Sequence, residues 1–409
     1  MALVQSRYVY LRYAVRHNNP FKFGALALDE AFTDREEELE ELGAAMRNGQ
    51  DVLVYAPRRY GKSSLVLAAA QKAVAEGILV GYCDLLRITT KERFAAALAK
   101  TIHRDIDSAT GQALERAAGL FRNLRIRPTM ELDPEDASLS FSFRGTRRKA
   151  DIDETVEALL ELLGRLAEER KRRVVMIFDE FQEIVELDIH YPNLLRAVFQ
   201  AQPEVAHVYL GSQRHILDRI FNDENEPFWR SAKTLELGMI APPKFARFVR
   251  ERFDETEKAI DDDALNRLLE TTSGHPYATQ ELAYEVWQGL PEGFAAHAAD
   301  VEAALDKVLR SEHNHLERLW EDAATVQRQL LMALANEPTA TPYAADYRAA
   351  HDLPASSTLQ SARVALEREE IIGRSVDGLV SIAEPFLAEW IRREQRHPSL
   401  SAQLRLEGS

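Results

Sequence analysis

The apolar positions of the chain change period several times, and each change marks an element. Residues 33–46, TDREEELEELGAAM, have helical spacing, with Leu39, Leu42 and Met46 on one face and acids early, where they suit a helix N-terminus. After Gly49, DVLVYA (51–56) reads as a short apolar strand, followed at once by a glycine-and-lysine turn and the helix SSLVLAAAQKAVAEG. A second apolar run, ILVGYCDLL (78–86), precedes a helix around ERFAAALAKTIHRDI. Such alternation predicts an α/β fold, a parallel sheet with helices on both faces. Residues 124–145 break the rhythm. They alternate like an antiparallel hairpin, with Asp133-Pro134 and Asp136 as turn material. A long charged helix, DETVEALLELLGRLAEERKRR, then leads to VVMIFDEF (174–181), the most apolar strand of the chain. A helix near NLLRAVFQAQP and the strands HVYLGSQ and KTLELGMI bring the core to four or five strands by residue 240.

From Pro242 to about Leu309 the period is helical throughout, as in a small helical domain. Residues 325–395 read differently: three helices, then GRSVDGLVSI with a hairpin turn at Asp377-Gly378, the pattern of a winged helix-turn-helix. The expected organisation is an N-terminal extension over 1–27, an α/β core over 28–240, a helical lid over 241–312 and a winged helix over 320–397.

The length of 409 residues accommodates two or three such domains, and 45% hydrophobic with 29% charged residues is ordinary for a soluble protein. No stretch approaches about 18 uninterrupted apolar residues, so no membrane span is expected. The N-terminus is interrupted by Arg7, Arg12 and Arg16 and does not read as a secretory signal. The single cysteine, Cys83, suits a reducing cytoplasm and sits in an apolar run, as a small core residue does. A net charge of −15 argues against a general nucleic-acid coating protein. Two basic clusters, Arg7/Arg12/Arg16/Lys22 and Arg144/Arg147/Arg148/Lys149, read more simply as solvated faces or element ends than as binding sites.

The turn after the first core strand carries the chemistry: Ala56-Pro57-Arg58-Arg59-Tyr60-Gly61-Lys62-Ser63-Ser64. A phosphate-binding loop needs backbone N–H groups turned inward at a helix N-terminus, a lysine for the β- and γ-phosphates and a hydroxyl for Mg²⁺. Gly61, Lys62 and Ser63 supply these. Ala56 replaces the usual first glycine, a departure that bears on loop geometry because alanine tolerates positive φ poorly. The second motif is VVMIFDEFQEI, a buried strand ending in Asp179-Glu180 at the carboxyl edge of the sheet. Asp179 is placed to hold Mg²⁺, mostly through water, and Glu180 to orient and deprotonate an attacking water. Loop and carboxylates together point to hydrolysis, of ATP rather than GTP because no guanine-specific NKxD element is present.

Further along, Gly211-Ser212-Gln213-Arg214 ends a strand, and Gln213 or Arg214 could sense a γ-phosphate; the other reading is a plain strand-end surface. Arg230 precedes the last core strand and fits either an arginine finger, in cis or toward a neighbouring subunit, or a surface salt bridge. Gly274-His275-Pro276 opens a lid helix, either as a turn or as a cover over the adenine side of the nucleotide.

Taken in order, FTDREEELEEL, APRRYGKSSL, MIFDEFQEI, LGSQRH, SGHPYATQEL and the terminal winged helix resemble the archaeal-type ATPases of the STAND branch of AAA+ proteins, relatives of the origin-recognition ATPases. The resemblance covers about residues 24–395. It implies that Phe32 and Arg35 pack by the adenine base, that Lys62 and Ser63 are the phosphate and Mg²⁺ ligands, and that Asp179-Glu180 is the second carboxylate motif. It further implies that Arg214 is the strand-end sensor and that His275-Pro276 is the element by which the lid senses nucleotide. No lid arginine of the ordinary AAA+ kind is present, so hexameric motor behaviour is not implied.

The function expected is that of an ATP-hydrolysing switch whose nucleotide state repositions the winged helix toward double-stranded DNA or a protein partner. Two alternatives stand beside it: a nucleotide-dependent scaffold with little turnover, and a DNA-binding regulator whose ATPase controls homo-oligomer state. A DNA-reading winged helix would present Ser357, Gln360 and Arg363 from its recognition helix, near Ser356–Glu367. Its eight Lys/Arg against ten Asp/Glu over 325–397 suit phosphate contact poorly, with Arg392, Arg393 and Arg396 the best basic group, so a packing or partner-binding role is favoured.

Overall fold

The computed structural model describes residues 18–24, 34–106, 119, 121, 122, 124–132, 139–143, 149–374 and 378–396. Helix α1 (Glu36–Asn48) leads to β1 (Val52–Tyr55), α2 (Lys62–Ala75), β2 (Leu79–Asp84) and α3 (Lys91–Thr101). The antiparallel pair β3 (Thr129–Leu132) and β4 (Leu139–Ser142) follows, joined through 133–138, which lie outside the described residues together with the turn expected there. Then come α4 (Lys149–Arg170), β5 (Val174–Asp179), α5 (Tyr191–Gln200), β6 (Val205–Gly211), α6 (Arg214–Asn222) and β7 (Lys233–Glu236).

Five strands form one parallel sheet in the order β2-β5-β6-β1-β7, which completes the four or five anticipated from the apolar runs. β5 and β6 are buried along their whole length, as continuous apolar runs between two helical layers must be. One face packs on α1 and α2 through Leu42, Met46, Leu65 and Val66; the other packs on α3, α4 and α5 through Phe94, Leu159, Leu163 and Phe199.

The lid consists of α7 (Pro242–Asp254), α8 (Asp262–Thr272), α9 (Pro276–Gly289) and α10 (Ala298–Ser311), with a two-residue pair β8 (Ala259–Ile260) and β9 (Ala295–Ala296). Helix α11 (His313–Asp322) leads into α12 (Thr325–Asn336), α13 (Ala345–Ala350), α14 (Ser356–Arg368), the wing β10 (Ile372–Arg374) and β11 (Val380–Ile382), and α15 (Pro385–Arg396). This is the winged helix anticipated from the sequence; of its wing turn, Asp377 lies outside the described residues.

Lid and winged helix share one apolar cluster, running from Ile240 and Phe245 through Leu305 and Leu330 to Trp390 and Ile391. Ion pairs bind the two further. Arg393 of α15 reaches Glu302 at 2.8 Å and also Asp306, both on α10, and Arg267 of α8 contacts Glu302 and, at 3.6 Å, Glu389 of α15. The N-terminal segment belongs to the same body: Phe21 is buried against Phe248 and Phe253, and Asn19 donates to the Tyr284 carbonyl at 3.0 Å. The join to the sheet passes through Ile240, whose N–H donates to the Gly274 carbonyl at 2.9 Å. Gly274 has φ 74°, and a Cβ there would lie 2.2 Å from the Ile240 carbonyl oxygen, so only glycine fits the join.

Candidate functional site

The sheet order brings the carboxyl ends of the strands to one edge, with Tyr55 beside Gly211 and Glu236, and Asp84 beside Asp179. Residues 56–61 leave β1 there and turn into α2. The left-handed positions of this loop are Arg59 (φ 66°) and Gly61 (φ 85°). Ala56 is buried and takes no positive φ, so the missing first glycine creates no strain. Helix α2 starts without an acid in its first turn and without a side-chain cap, leaving its positive dipole end open toward the loop. These are the conditions under which a helix N-terminus binds an anion.

Lys62 is buried and its Nζ donates to the carbonyls of Ala56 at 3.0 Å and Pro57 at 3.5 Å, closing the loop from inside. Burial pushes its pKa down, while Glu180 and Asp179 nearby pull it up. Ser63 donates to Asp179 Oδ2 at 3.0 Å, and the Tyr82 hydroxyl donates to the same oxygen. Asp179 Oδ1 accepts the N–H of Glu180 at 2.9 Å. Glu180 sits at φ 52°, a left-handed bend straight after β5, and its Oε2 accepts from Gln182 at 2.5 Å and from Ser212 at 3.3 Å. Ser64 is buried one residue further into α2.

The other expected residues divide. His275 caps α9, with Pro276 at the first helical position and Nδ1 accepting from Ala278 at 3.2 Å; its ring stands edge-on to Tyr60 at 4.9 Å. Burial first, and then the Arg59 cation, bring its pKa to about 3, so it is neutral at ordinary pH. Gln213 precedes α6 without a side-chain capping bond and lines a cleft of about 380 Å³ together with Pro57, Arg58, Arg59, Tyr60 and His275. Arg214 pairs with Glu236 at 3.1 Å and Asp218 at 3.5 Å and lies 5.3 Å from the Tyr55 ring. Arg230 is exposed with its guanidinium over Trp229, and no contact among the described residues joins it to the loop. Arg35 is buried, donating to the Gly238 carbonyl and pairing with Glu38 at 2.9 Å, so it ties α1 to the segment that leads from β7 into the lid. Phe32 lies outside the described residues.

Sequence reasoning did not foresee the far wall of the cleft, which the winged helix supplies through Glu369, Glu370 and Glu384. Arg59 pairs with Glu384 at 3.4 Å and stands 4.4 Å above the Tyr277 ring of the lid. Desolvation raises the pKa of Glu384, and that of Glu281 to about 8; the nearby Glu312 charge acts in the same sense and Arg59 against it in both. Glu370 is likewise raised by burial, opposed by Arg58 and Lys62. The three winged-helix glutamates were visible in the sequence, but only as a poor match to DNA phosphates. The basic residues that a DNA-reading winged helix would use are engaged within the chain: Arg363 with Glu367 at 2.6 Å, Arg392 with Glu389 at 2.8 Å, and Arg393 with the lid acids. The side chain of Arg396 lies outside the described residues, and Ser357 and Gln360 are exposed on α14.

No match is found among curated proteins. Among the solved structures that share the fold are a Walker-type ATPase and an ORC2 protein. The Walker-type ATPase of Pyrococcus abyssi is 18% identical, with a TM-score of 0.61 over 90% of this chain and 97% of that one. The ORC2 protein of Aeropyrum pernix, in its ADPNP–ADP complexes, is 12% identical, with a TM-score of 0.50 over 92% and 99%. A family described as "Probable winged helix domain" matches residues 314–393. A family described as "ATPase domain predominantly from Archaea" matches residues 32–282, more than half of the chain and both carboxylate-bearing and phosphate-loop segments. The chain belongs to this family of archaeal-type ATPases, with an AAA+-like core and a winged helix at its C-terminal end.

Proposed function

We propose that the protein binds and hydrolyses ATP and uses the reaction to reposition its winged helix. The observation that carries this reading is the contact of Arg59, a residue of the phosphate loop itself, with Glu384 of the winged helix and Tyr277 of the lid. The phosphate groups of ATP carry the same kind of charge as Glu384 and Glu370. Entering the loop, they compete with those carboxylates for Arg58, Arg59 and Lys62. Nucleotide then favours an arrangement in which the winged helix is released, and loss of the γ-phosphate favours its return. A ligand shifts such an equilibrium only by its differential affinity for the two arrangements, and the contested cations supply that difference.

Ser63 and Asp179 are hard oxygen donors brought together beside Lys62, a set that suits Mg²⁺ with its other positions left to water and phosphate. Bound there, the ion would neutralise charge on the phosphate oxygens. Lys62 would leave the Ala56 carbonyl for the β- and γ-phosphates. Glu180, oriented by Gln182 and Ser212, would take the proton of the attacking water. Ser212, rather than Arg214, is the strand-end group that touches this base. Arg230 stays available for a neighbouring copy in a homo-oligomer, and His275-Pro276 for sensing nucleotide from the lid.

For the output, a protein partner is favoured over double-stranded DNA, because Arg363, Arg392 and Arg393 are held by acids of the same chain. The deciding measurement is ATP turnover of wild type and Glu180→Gln, each with and without double-stranded DNA. Basal turnover that is lost in the variant and indifferent to DNA supports the switch answering to a protein. DNA-stimulated turnover would shift the output to DNA, and absence of turnover in the wild type would leave a nucleotide-dependent scaffold.

A further inference from the structure

Tyr82 takes no part in the sequence motifs, yet it shares an oxygen with both of them. It lies on β2, the edge strand of the sheet, on the face that packs against α2. Its main chain is fixed from outside the sheet: Thr101 donates to its carbonyl at 3.1 Å, and its N–H donates to Asp105 at 3.4 Å. Both come from the end of α3 and the turn Ile102–Ile106 behind it. The ring is thereby held while its hydroxyl points along the sheet edge to Asp179 Oδ2, the oxygen that also accepts from Ser63.

A carboxylate has about four lone-pair positions on its two oxygens. In Asp179, one oxygen takes the Glu180 N–H and the other takes Tyr82 and Ser63. When the Ser63 oxygen turns to a cation, the Tyr82 bond remains as the side-chain restraint on the Asp179 carboxylate. We infer that Tyr82 is a positioning residue for divalent-cation binding, fixing Asp179 against Ser63 so that the pair meets the ion that accompanies nucleotide. The inference rests on the reading of Asp179 as the cation-side carboxylate. Outer partners that orient metal-binding carboxylates usually contribute about 10- to 100-fold in metal affinity.

The test compares the affinity of full-length protein for a fluorescent ADP analogue in Mg²⁺ and in EDTA; the ratio isolates the contribution of the ion. Wild type, Tyr82→Phe, Asp179→Asn and the double variant are measured, with thermal melts to show that each is folded. Tyr82→Phe keeps the ring and its apolar contacts. It is expected to lower the ratio about tenfold while leaving the affinity in EDTA unchanged. In the Asp179→Asn background the same change is expected to have no further effect, because a positioning residue acts through the group it positions. Equal loss of affinity with and without Mg²⁺, an unchanged or higher ratio, or a full effect on top of Asp179→Asn would each overturn the role of Tyr82. A wild-type ratio in Asp179→Asn would overturn the underlying reading of Asp179 instead.

Discussion

Replacing Arg59 by methionine removes the cation that joins the phosphate loop to the winged helix and keeps most of the apolar stem. The magnitude follows from its two contacts. Unit charges at 3.4 Å attract by about 5 kcal/mol at an effective dielectric of about 20. Water reaches 39% of the arginine side chain, however, and exposed pairs contribute about 0.2–1 kcal/mol net. The stacking on Tyr277 adds about 0.5–1 kcal/mol at such a site. Together these make about 1–2 kcal/mol, a factor of about 5–30 in the ratio of released to docked winged helix. The sign is reinforced by what remains: Glu281, Glu312 and Glu384 lose the Arg59 cation that opposes their mutual repulsion. Energy transfer between dyes on Val74 of α2 and Val364 of α14, both exposed, reads the docking directly, and the native cysteine, Cys83, is buried and will not compete for label. Nucleotide-free Arg59→Met should transfer less efficiently than wild type at pH 8. Identical transfer in the two proteins would refute the role of Arg59 as the tie between loop and winged helix.

Lys62→Ala is expected to abolish ATP binding in calorimetry while melting within a few degrees of wild type, whereas Glu180→Gln should keep binding and hold the ATP state. Glu281 has a folded pKa of about 8 against an ordinary 4.5, so the folded state holds its proton longer than the unfolded one. The stability it contributes is full below pH 4.5 and lost as pH rises through 8; Glu281→Gln should flatten that fall, seen in thermal melts between pH 5 and pH 9. The groups facing it are Glu312, Glu384, Arg59, Glu285 and Tyr277. Gly274→Ala drives a Cβ into the Ile240 carbonyl at positive φ and should cost more than about 1 kcal/mol in denaturant melts, loosening the join between sheet and lid.

The fold was legible because its signals are local. Alternation of short apolar runs with helical periods pointed to four or five core strands, and the break at 124–145 to an antiparallel pair. Lys62 and Ser63 open the helix after β1, Asp179 and Glu180 close β5, and the parallel sheet brings the two pairs to one edge. What was not legible depends on packing between distant segments. Arg214 follows the expected strand, but its direction is set by Glu236 two strands away. Arg35 is spent on the Gly238 carbonyl, a contact no local pattern announces. Tyr82 belongs to no motif, and its place at the site depends on β2 pairing with β5 in the register Asp84 to Asp179. The acidic tally of the winged helix was legible, but its target, the arginines of the phosphate loop, was not.

The burial of Phe21 against Phe248 and Phe253 has a consequence for how the chain is made. Asn19 and its partner Tyr284 are 265 residues apart in sequence, so the segment leaves the ribosome long before the surface it fills exists. The sheet domain lies wholly between them and can complete itself first. The lid is then finished by an element synthesised earlier, and until Phe21 is seated its helices keep an unfilled apolar slot. In the order of biosynthesis, the ATPase sheet is an insertion, and the body that covers it is the discontinuous domain.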